Sequence, residues 1–374
     1  MNSKSIIAVC ALFFSSTLGV VAQENEDVKV STMTQPGQTI KASDSHIQYI
    51  GRVSKKNPDS PMFTFPGTRI RAAFMGTSLK MIAKPKSGYF MARVDGSKAF
   101  KVCFNAKNDS VVTLAVALPD TKHDVDIMYV TEGYNRRAEF RGFILDEGKS
   151  LAEAPVLPER RIEFIGNSIT CGYGVEDVVC SDPYQDETCN HYYTYANRTA
   201  QALGVMHWVV ARSGIGVYRN YNGPQTGDSV NMNTEYTHTL LYDNTQTWDF
   251  SGLVPQLVCI NLGTNDTSTS GADPKLLREG YRNLVKQVRS HYPEAKIVLL
   301  CGSMMSGDQL LSAQSAMNDV VKELSKKDKQ LYRFDFTPQN GSLGYGASWH
   351  PSMEQHKKMA EELVPYLRSL MNWE

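Results

Sequence analysis

Four short stretches of the chain carry residue types that could do chemistry together. The first is Arg160-Arg161-Ile162-Glu163-Phe164-Ile165-Gly166-Asn167-Ser168-Ile169-Thr170-Cys171-Gly172-Tyr173-Gly174. Ile162, Phe164 and Ile165 read as a short buried strand, Gly166 permits a sharp exit, and Ser168 falls where the backbone turns toward a helix or loop. A serine so placed stands at the carboxyl edge of a sheet, the usual crevice of an open α/β sheet, and is a candidate nucleophile. Serine after a glycine turn also caps helices, so this segment alone does not separate the two roles. The other three stretches favour catalysis.

Val209-Val210-Ala211-Arg212-Ser213-Gly214-Ile215-Gly216 is a second strand running into glycines. Glycine lets the main chain approach a ligand, so an N–H at this exit can point into the crevice. Gly214 and Gly216 both qualify, and Gly216 is preferred. Leu257-Val258-Cys259-Ile260-Asn261-Leu262-Gly263-Thr264-Asn265-Asp266 is the third stretch. Its Asn265 amide can donate to a developing oxyanion, an interaction typically worth ~10²–10³ in rate; the plainer readings are an Asx-turn for Asn265 and a helix cap for Asp266. The fourth, Gly344-Tyr345-Gly346-Ala347-Ser348-Trp349-His350-Pro351-Ser352, precedes the last helix. Pro351 and a capping Ser352 hold His350 at a defined place, which makes it the candidate general base. His356 is its nearest rival, but its helical position suggests an exposed side chain. A histidine titrating at ~6.5 implies activity that falls between pH 8 and pH 5.

These stretches need a sheet to hold them. After Arg160, buried strands (162–165, 206–211, 257–262, 296–301) alternate with helical stretches (192–203, 274–290, 309–325, 352–370), the pattern of an α/β domain with a parallel sheet and helices on both faces. Before it, from about Val28 to Gly148, short strands of period two follow one another without helices, which argues a β-sandwich of the jelly-roll type. Pro155 and Pro158 mark the break. The expected organisation is a signal segment at 1–22, a β-sandwich accessory domain at 23–150, a linker at 151–159 and an α/β catalytic domain at 160–374. The accessory domain is read as bracing its neighbour more than as binding glycan.

The bulk properties exclude several classes. Lys+Arg and Asp+Glu both total 39, so there is no electrostatic footprint for nucleic acid or an anionic membrane. Lys4, an apolar run from Ile6 to Val21, and Ala22 describe an export signal, implying a periplasmic or secreted protein. Cys10 lies inside that run rather than at its end, which disfavours a lipid anchor. No other stretch reaches ~18 consecutive apolar residues, so no transmembrane helix is expected. Export permits disulfides, and a Cys180–Cys189 bridge could close the polar loop between them; Cys103, Cys259 and Cys301 lie in strand-like runs and read as buried thiols. Metal and organic cofactors are not required: there is no H-E-x-x-H, phosphate-binding loop or dinucleotide glycine pattern. The G-x-S-x-G elbow of ordinary α/β-hydrolases is absent too.

Gly166-Asn167-Ser168, a glycine after the second strand, Gly263-Thr264-Asn265-Asp266 and a late histidine together resemble, in order, the four blocks of the SGNH (GDSL-type) hydrolases over residues 160–374. A preceding β-sandwich, with Trp248-Asp249-Phe250-Ser251, Arg219-Asn220-Tyr221-Asn222-Gly223 and Trp349-His350-Pro351, narrows the resemblance to carbohydrate esterase family 2. It implies a flavodoxin-like three-layer catalytic domain and an exported acetyl esterase that deacetylates plant polysaccharides such as xylan and glucomannan. The chain departs from the wider pattern at Ala347, where most SGNH hydrolases place an aspartate three residues before the histidine. The resemblance implies instead a Ser–His dyad with a main-chain carbonyl, of Ser348 or Trp349, holding Nδ1–H; a remote carboxylate such as Asp335 is the alternative. The expected reaction is two-step acyl transfer: Ser168 attacks, His350 moves the proton, and the N–H groups of Ser168 and Gly216 (or Gly214) hold the oxyanion with Asn265. Trp349, Tyr218 and Tyr221 are candidate platforms for a sugar ring. A lipid-directed esterase of the same chemistry and a non-catalytic glycan-binding protein are the rivals.

Overall fold

The computed structural model describes residues 37–108, 110–134 and 136–373; the signal segment and Cys10 lie outside them. Residues 38–152 form two antiparallel sheets, one of five strands and one of six. Alternation does the work here: Leu79, Met81 and Ala83 of one sheet and Ile70, Ala72 and Phe74 of the other turn inward to a shared core with Phe63, Phe90 and Phe143. Leu151–Ala152, expected in the linker, instead pairs with Ala73 and Phe74 at a sheet edge. The β-domain therefore runs slightly further than its composition suggested.

The second domain is built on five parallel strands: β1 (Arg161–Gly166), β2 (Met206–Ala211), β3 (Leu257–Asn261), β4 (Lys296–Cys301) and β5 (Leu331–Asp335), in the spatial order β2-β1-β3-β4-β5. β5 was not expected, because Leu331-Tyr332-Arg333-Phe334-Asp335 is neither a continuous apolar run nor fully buried. Four helices cover the sheet: α1 (Tyr195–Leu203), α2 (Pro274–His291), α3 (Gly307–Leu324) and α4 (Met353–Met371). Ile165, Val210, Ile260 and Leu299 face α2 and α3, whereas Phe164, Val209, Cys259 and Leu300 face α1 and α4. Successive strand residues thus serve opposite layers, which is why these strands are apolar throughout. In such a sheet the order reverses beside β1, and the crevice opens at the carboxyl ends of β1 and its neighbours. Among the described residues no helix is long and apolar enough to cross a membrane.

The domains are joined by buried polar chemistry. Arg52 of the β-domain and Glu163 of β1 are both fully buried, 3.3 Å apart. Arg52 also donates to the carbonyls of Tyr236 and His238, while Glu163 accepts from Trp208 Nε1 at 2.9 Å and Tyr236 Oη at 2.7 Å. Among the described residues Cys171, Cys180, Cys189, Cys259 and Cys301 form no disulfide. Cys180 and Cys189 are therefore not bridged, and Cys103 is only half-buried.

Candidate active site

β1 delivers Ser168 through a tight turn. A Cβ on Gly166 would lie 2.0 Å from Thr170 Oγ1, so only glycine lets the chain fold back there. Asn167 then caps the single turn Ser168–Cys171, its Oδ1 accepting the Ile169 N–H at 3.0 Å. Asn167, not Ser168, is the cap, and the serine hydroxyl is left for another partner. That partner is His350: Nε2 and Ser168 Oγ are 2.8 Å apart.

His350 needs no aspartate because the main chain does the aspartate's orienting work. Its Nδ1–H donates to the carbonyls of Ala347 at 3.1 Å and Ser348 at 3.2 Å, which leaves Nε2 as the acceptor facing the serine. Of the alternatives, Trp349 O is occupied by Gln339 Nε2 at 2.8 Å, and Asp335 pairs with Arg333. The turn is held in a costly shape, with Ser348 at φ 48° and Trp349 at φ 55°. Ser348 N–H and Trp349 N–H secure it by donating to the carbonyls of Asp182 and Cys180, and Ala347 N–H donates to Gly174 O. The loop expected to be closed by a disulfide is thus tied to the histidine turn by backbone hydrogen bonds. Tyr173, which sequence reasoning missed, stacks its ring on His350 with centroids 4.1 Å apart and 18° between planes.

Burial pushes the His350 pKa down to about 4, against the opposing pull of the two carbonyls. A base works in its neutral form, so a lowered pKa keeps it competent in mild acid. With that lowered pKa, kcat/KM for an aryl acetate should stay flat down to about pH 5 and fall toward about pH 4, further into acid than the ordinary histidine value implies. An acid limb centred near the ordinary histidine value would contradict this environment.

The second and third stretches divide into residues that reach the cleft and residues that hold it. Gly214, at φ +76°, lines the cleft beside Ser168 and His350, and among the described residues no acceptor takes its N–H or that of Ser168. Gly216, the preferred candidate, does not serve: its N–H donates to Asn220 Oδ1 at 3.2 Å. A Cβ there would come 1.9 Å from Arg219 O and 2.5 Å from Asp266 Oδ2, so this glycine exists for close packing. Asn265 lines the cleft, giving one amide hydrogen to Ile215 O at 2.8 Å and keeping the second. Asp266 is no helix cap but a buried anchor: its carboxylate accepts the N–H groups of Val217, Tyr218 and Arg219 at 2.9–3.1 Å. Burial still raises its pKa to about 6.

The aromatic candidates separate as well. Tyr221 is 56% exposed and lines the cleft, and Trp349 is 55% exposed beside His350. Tyr218 is corrected: it is buried in the core and its Oη accepts the Asp273 N–H at 2.9 Å. His356 is corrected too, being buried with Nδ1 accepting the Tyr195 N–H at 3.1 Å. The cleft, about 1300 Å³, has a wall that sequence reasoning did not foresee, formed by Glu132, Tyr134, Arg136 and Arg137 of the β-domain. The β-domain does more than brace. Among the described residues there is no group of three or more His, Cys, Asp or Glu side chains placed to hold a metal.

Family models match both halves of the chain: carbohydrate esterase 2 N-terminal over residues 49–155 and GDSL-like lipase/acylhydrolase over residues 162–363. A solved family two carbohydrate esterase from Clostridium thermocellum, in complex with cellohexaose, superposes with TM-score 0.81 at 36% identity, covering 88% of this chain and 100% of that one. The chain belongs to carbohydrate esterase family 2. Within this family it is 36% identical over 341 residues to the cellulase/esterase CelE of Acetivibrio thermocellus, covering 91% of this chain and 41% of that protein. It therefore spans well under half the length of that relative. An acetylxylan esterase / glucomannan deacetylase of Cellvibrio japonicus is 28% identical over 340 residues, covering 90% of this chain and 92% of its own length.

Proposed function

We propose that this chain is an exported serine esterase that removes O-acetyl groups from plant cell-wall polysaccharides or oligosaccharides of the xylan and glucomannan class. The observation that carries the reading is the 2.8 Å contact between Ser168 Oγ and an imidazole whose other nitrogen is committed to two carbonyls. His350 Nε2 takes the Ser168 proton as Oγ bonds to the acetyl carbonyl carbon. The oxyanion that forms accepts hydrogen bonds from the N–H groups of Ser168 and Gly214 and from the Asn265 amide. Collapse breaks the ester C–O bond, the sugar oxygen takes the proton from His350, and water repeats the sequence to release acetate and free Ser168. Tyr221 and Trp349 supply exposed rings against which a sugar can lie. The names of the relatives support the substrate class, and the charged and polar side chains along the cleft, among them Glu132, Arg136, Arg137 and Asp186, favour a glycan over a long acyl chain.

The accessory domain, of jelly-roll type, is taken to run from 23 to 152, followed by a linker within 153–159 and the catalytic domain at 160–374, with 1–22 removed on export. Acetate release from defined acetylated xylo-, gluco- and manno-oligosaccharides, measured beside fatty-acid release from lipid esters, tests the function. Acetate release from at least one of these glycans, with no fatty acid released, is expected. Preferential fatty-acid release would replace this reading with the lipid-directed one, and no release from any ester would replace it with a glycan-binding one.

A further inference from the structure

The β-domain reaches the loop that carries Gly214. Glu132 follows the strand Thr121–Tyr129, lines the same cleft as Ser168 and is only 3% exposed. Its Oε1 accepts the N–H of Ser213 at 2.5 Å. Ser213 immediately precedes Gly214, so this bond fixes the peptide plane next to the one whose N–H faces the oxyanion. On the far side, Gly214 O accepts the Tyr221 N–H at 2.8 Å. Further along, Asp266 holds Val217, Tyr218 and Arg219. These hydrogen bonds pin the loop on both sides of Gly214, and the one to Glu132 reaches it from the other domain.

A carboxylate is a costly choice for a dry site, and burial raises the pKa of this one. Where packing alone was needed, an apolar side chain would serve better. Arg212 and the Cys171 thiol lie close enough to favour its charged form. Arg212 is itself held over the rings of Tyr134 and Tyr242, at 5.8 and 5.4 Å. Its positive charge also offsets the repulsion that Glu132 would otherwise exert on a nearby oxyanion. What the carboxyl oxygen provides is a strong acceptor at the end of a side chain of one particular length.

We propose that Glu132 is a positioning residue that holds the Ser213–Gly214 turn at the distance from Ser168 required by the oxyanion, so that the esterase site is complete only when the two domains are docked. This rests on the acyl-transfer reading above. Two substitutions separate reach from charge. Glu132→Gln keeps an oxygen at the same reach without the charge, and Glu132→Asp keeps the charge but withdraws the oxygen by one methylene. With a small aryl acetate, Glu132→Asp is expected to lower kcat about 10- to 100-fold, a fraction of the loss that follows removal of an oxyanion donor. Its KM should stay within about threefold, because the donor acts on the transition state and not the ground state. Glu132→Gln should recover most of the turnover. A boronic acid that forms a tetrahedral adduct on Ser168 should bind the Asp variant more weakly in proportion to its loss of kcat/KM. Unfolding midpoints measured alongside identify a merely structural role, which would lower the midpoint of Glu132→Asp without changing kcat in the folded protein. Should Glu132→Asp not fold, Glu132→Ala takes its place. An Asp variant as fast as the wild type, or a Gln variant as slow as Asp, overturns the inference. If Ser168→Ala stays active, the acyl-transfer reading fails first; if Ser168→Ala is inactive while Glu132→Asp is unimpaired, this inference alone fails.

Discussion

Ser168→Ala should reduce turnover of a small aryl acetate by roughly 10⁴-fold or more, leaving a residue of rate from the oxyanion donors and binding alone. The Ser168 side chain is small and buried, and its loss removes one hydrogen bond, to His350, so the folded state should be little affected. The same magnitude is expected for His350→Ala, because the serine is a weak nucleophile without an adjacent base. Combining the two should cost no more than either alone, since groups that act as a unit are not additive. Steady-state kinetics on the three variants, with circular dichroism to show that each is folded, checks the set. A Ser168→Ala protein that hydrolyses at the wild-type rate would leave the cleft without a nucleophile and end the esterase reading.

Arg52→Ala should destabilise the protein by about 3–5 kcal/mol, the usual result of removing one partner of a fully buried ion pair. Glu163 would be left charged in the floor of the sheet, with Trp208 Nε1 and Tyr236 Oη as its remaining donors. The guanidinium also lies within 5.0–5.8 Å of the ring centres of Tyr236, Phe250, Trp248 and Phe65, so truncation opens a cavity among aromatics and adds to the loss. Arg52→Met combined with Glu163→Gln removes both charges and keeps an acceptor for one donor; it should be more stable than Arg52→Ala. Urea unfolding of the three proteins measures the differences. A loss below about 1 kcal/mol for Arg52→Ala would mean that the pair contributes no more than an exposed one.

These two results probe different parts of one arrangement. The cleft lies along the domain junction, with Ser168, His350, Gly214 and Asn265 on the α/β side and Glu132, Tyr134, Arg136 and Arg137 on the other. Anything that loosens Arg52 from Glu163 should therefore weaken the cleft wall as well as the fold. The acid tolerance expected from the lowered His350 pKa rests on burial of the same ring that stacks on Tyr173.

Local chemistry in the chain determined a good deal by itself. The apolar runs at 162–165, 206–211, 257–262 and 296–301 match β1 to β4 closely, because a strand buried on both faces leaves a continuous apolar signature. Asp273-Pro274 and Ser352 start α2 and α4 by capping rules that operate within three residues. Ser168, Asn265 and His350 were each legible because each follows a glycine turn or precedes a capped helix. Tertiary structure decided the rest. Ser168 and His350 are 182 residues apart, so no local pattern could show which carbonyl orients the imidazole or that Tyr173 stacks on it. Gly214 and Gly216 look alike in sequence, and only the approach of Arg219 and Asp266 makes one a packing residue and leaves the other facing the cleft. Tyr218 and Tyr221 differ only in which side of a folded loop they occupy. Glu132 carried no signal at all, because a carboxylate in a β-rich segment acquires meaning only when a second domain brings Ser213 N–H to it. Short-range geometry is written in neighbouring side chains, whereas a site assembled across domains exists only once the packing of both has fixed the distances between them.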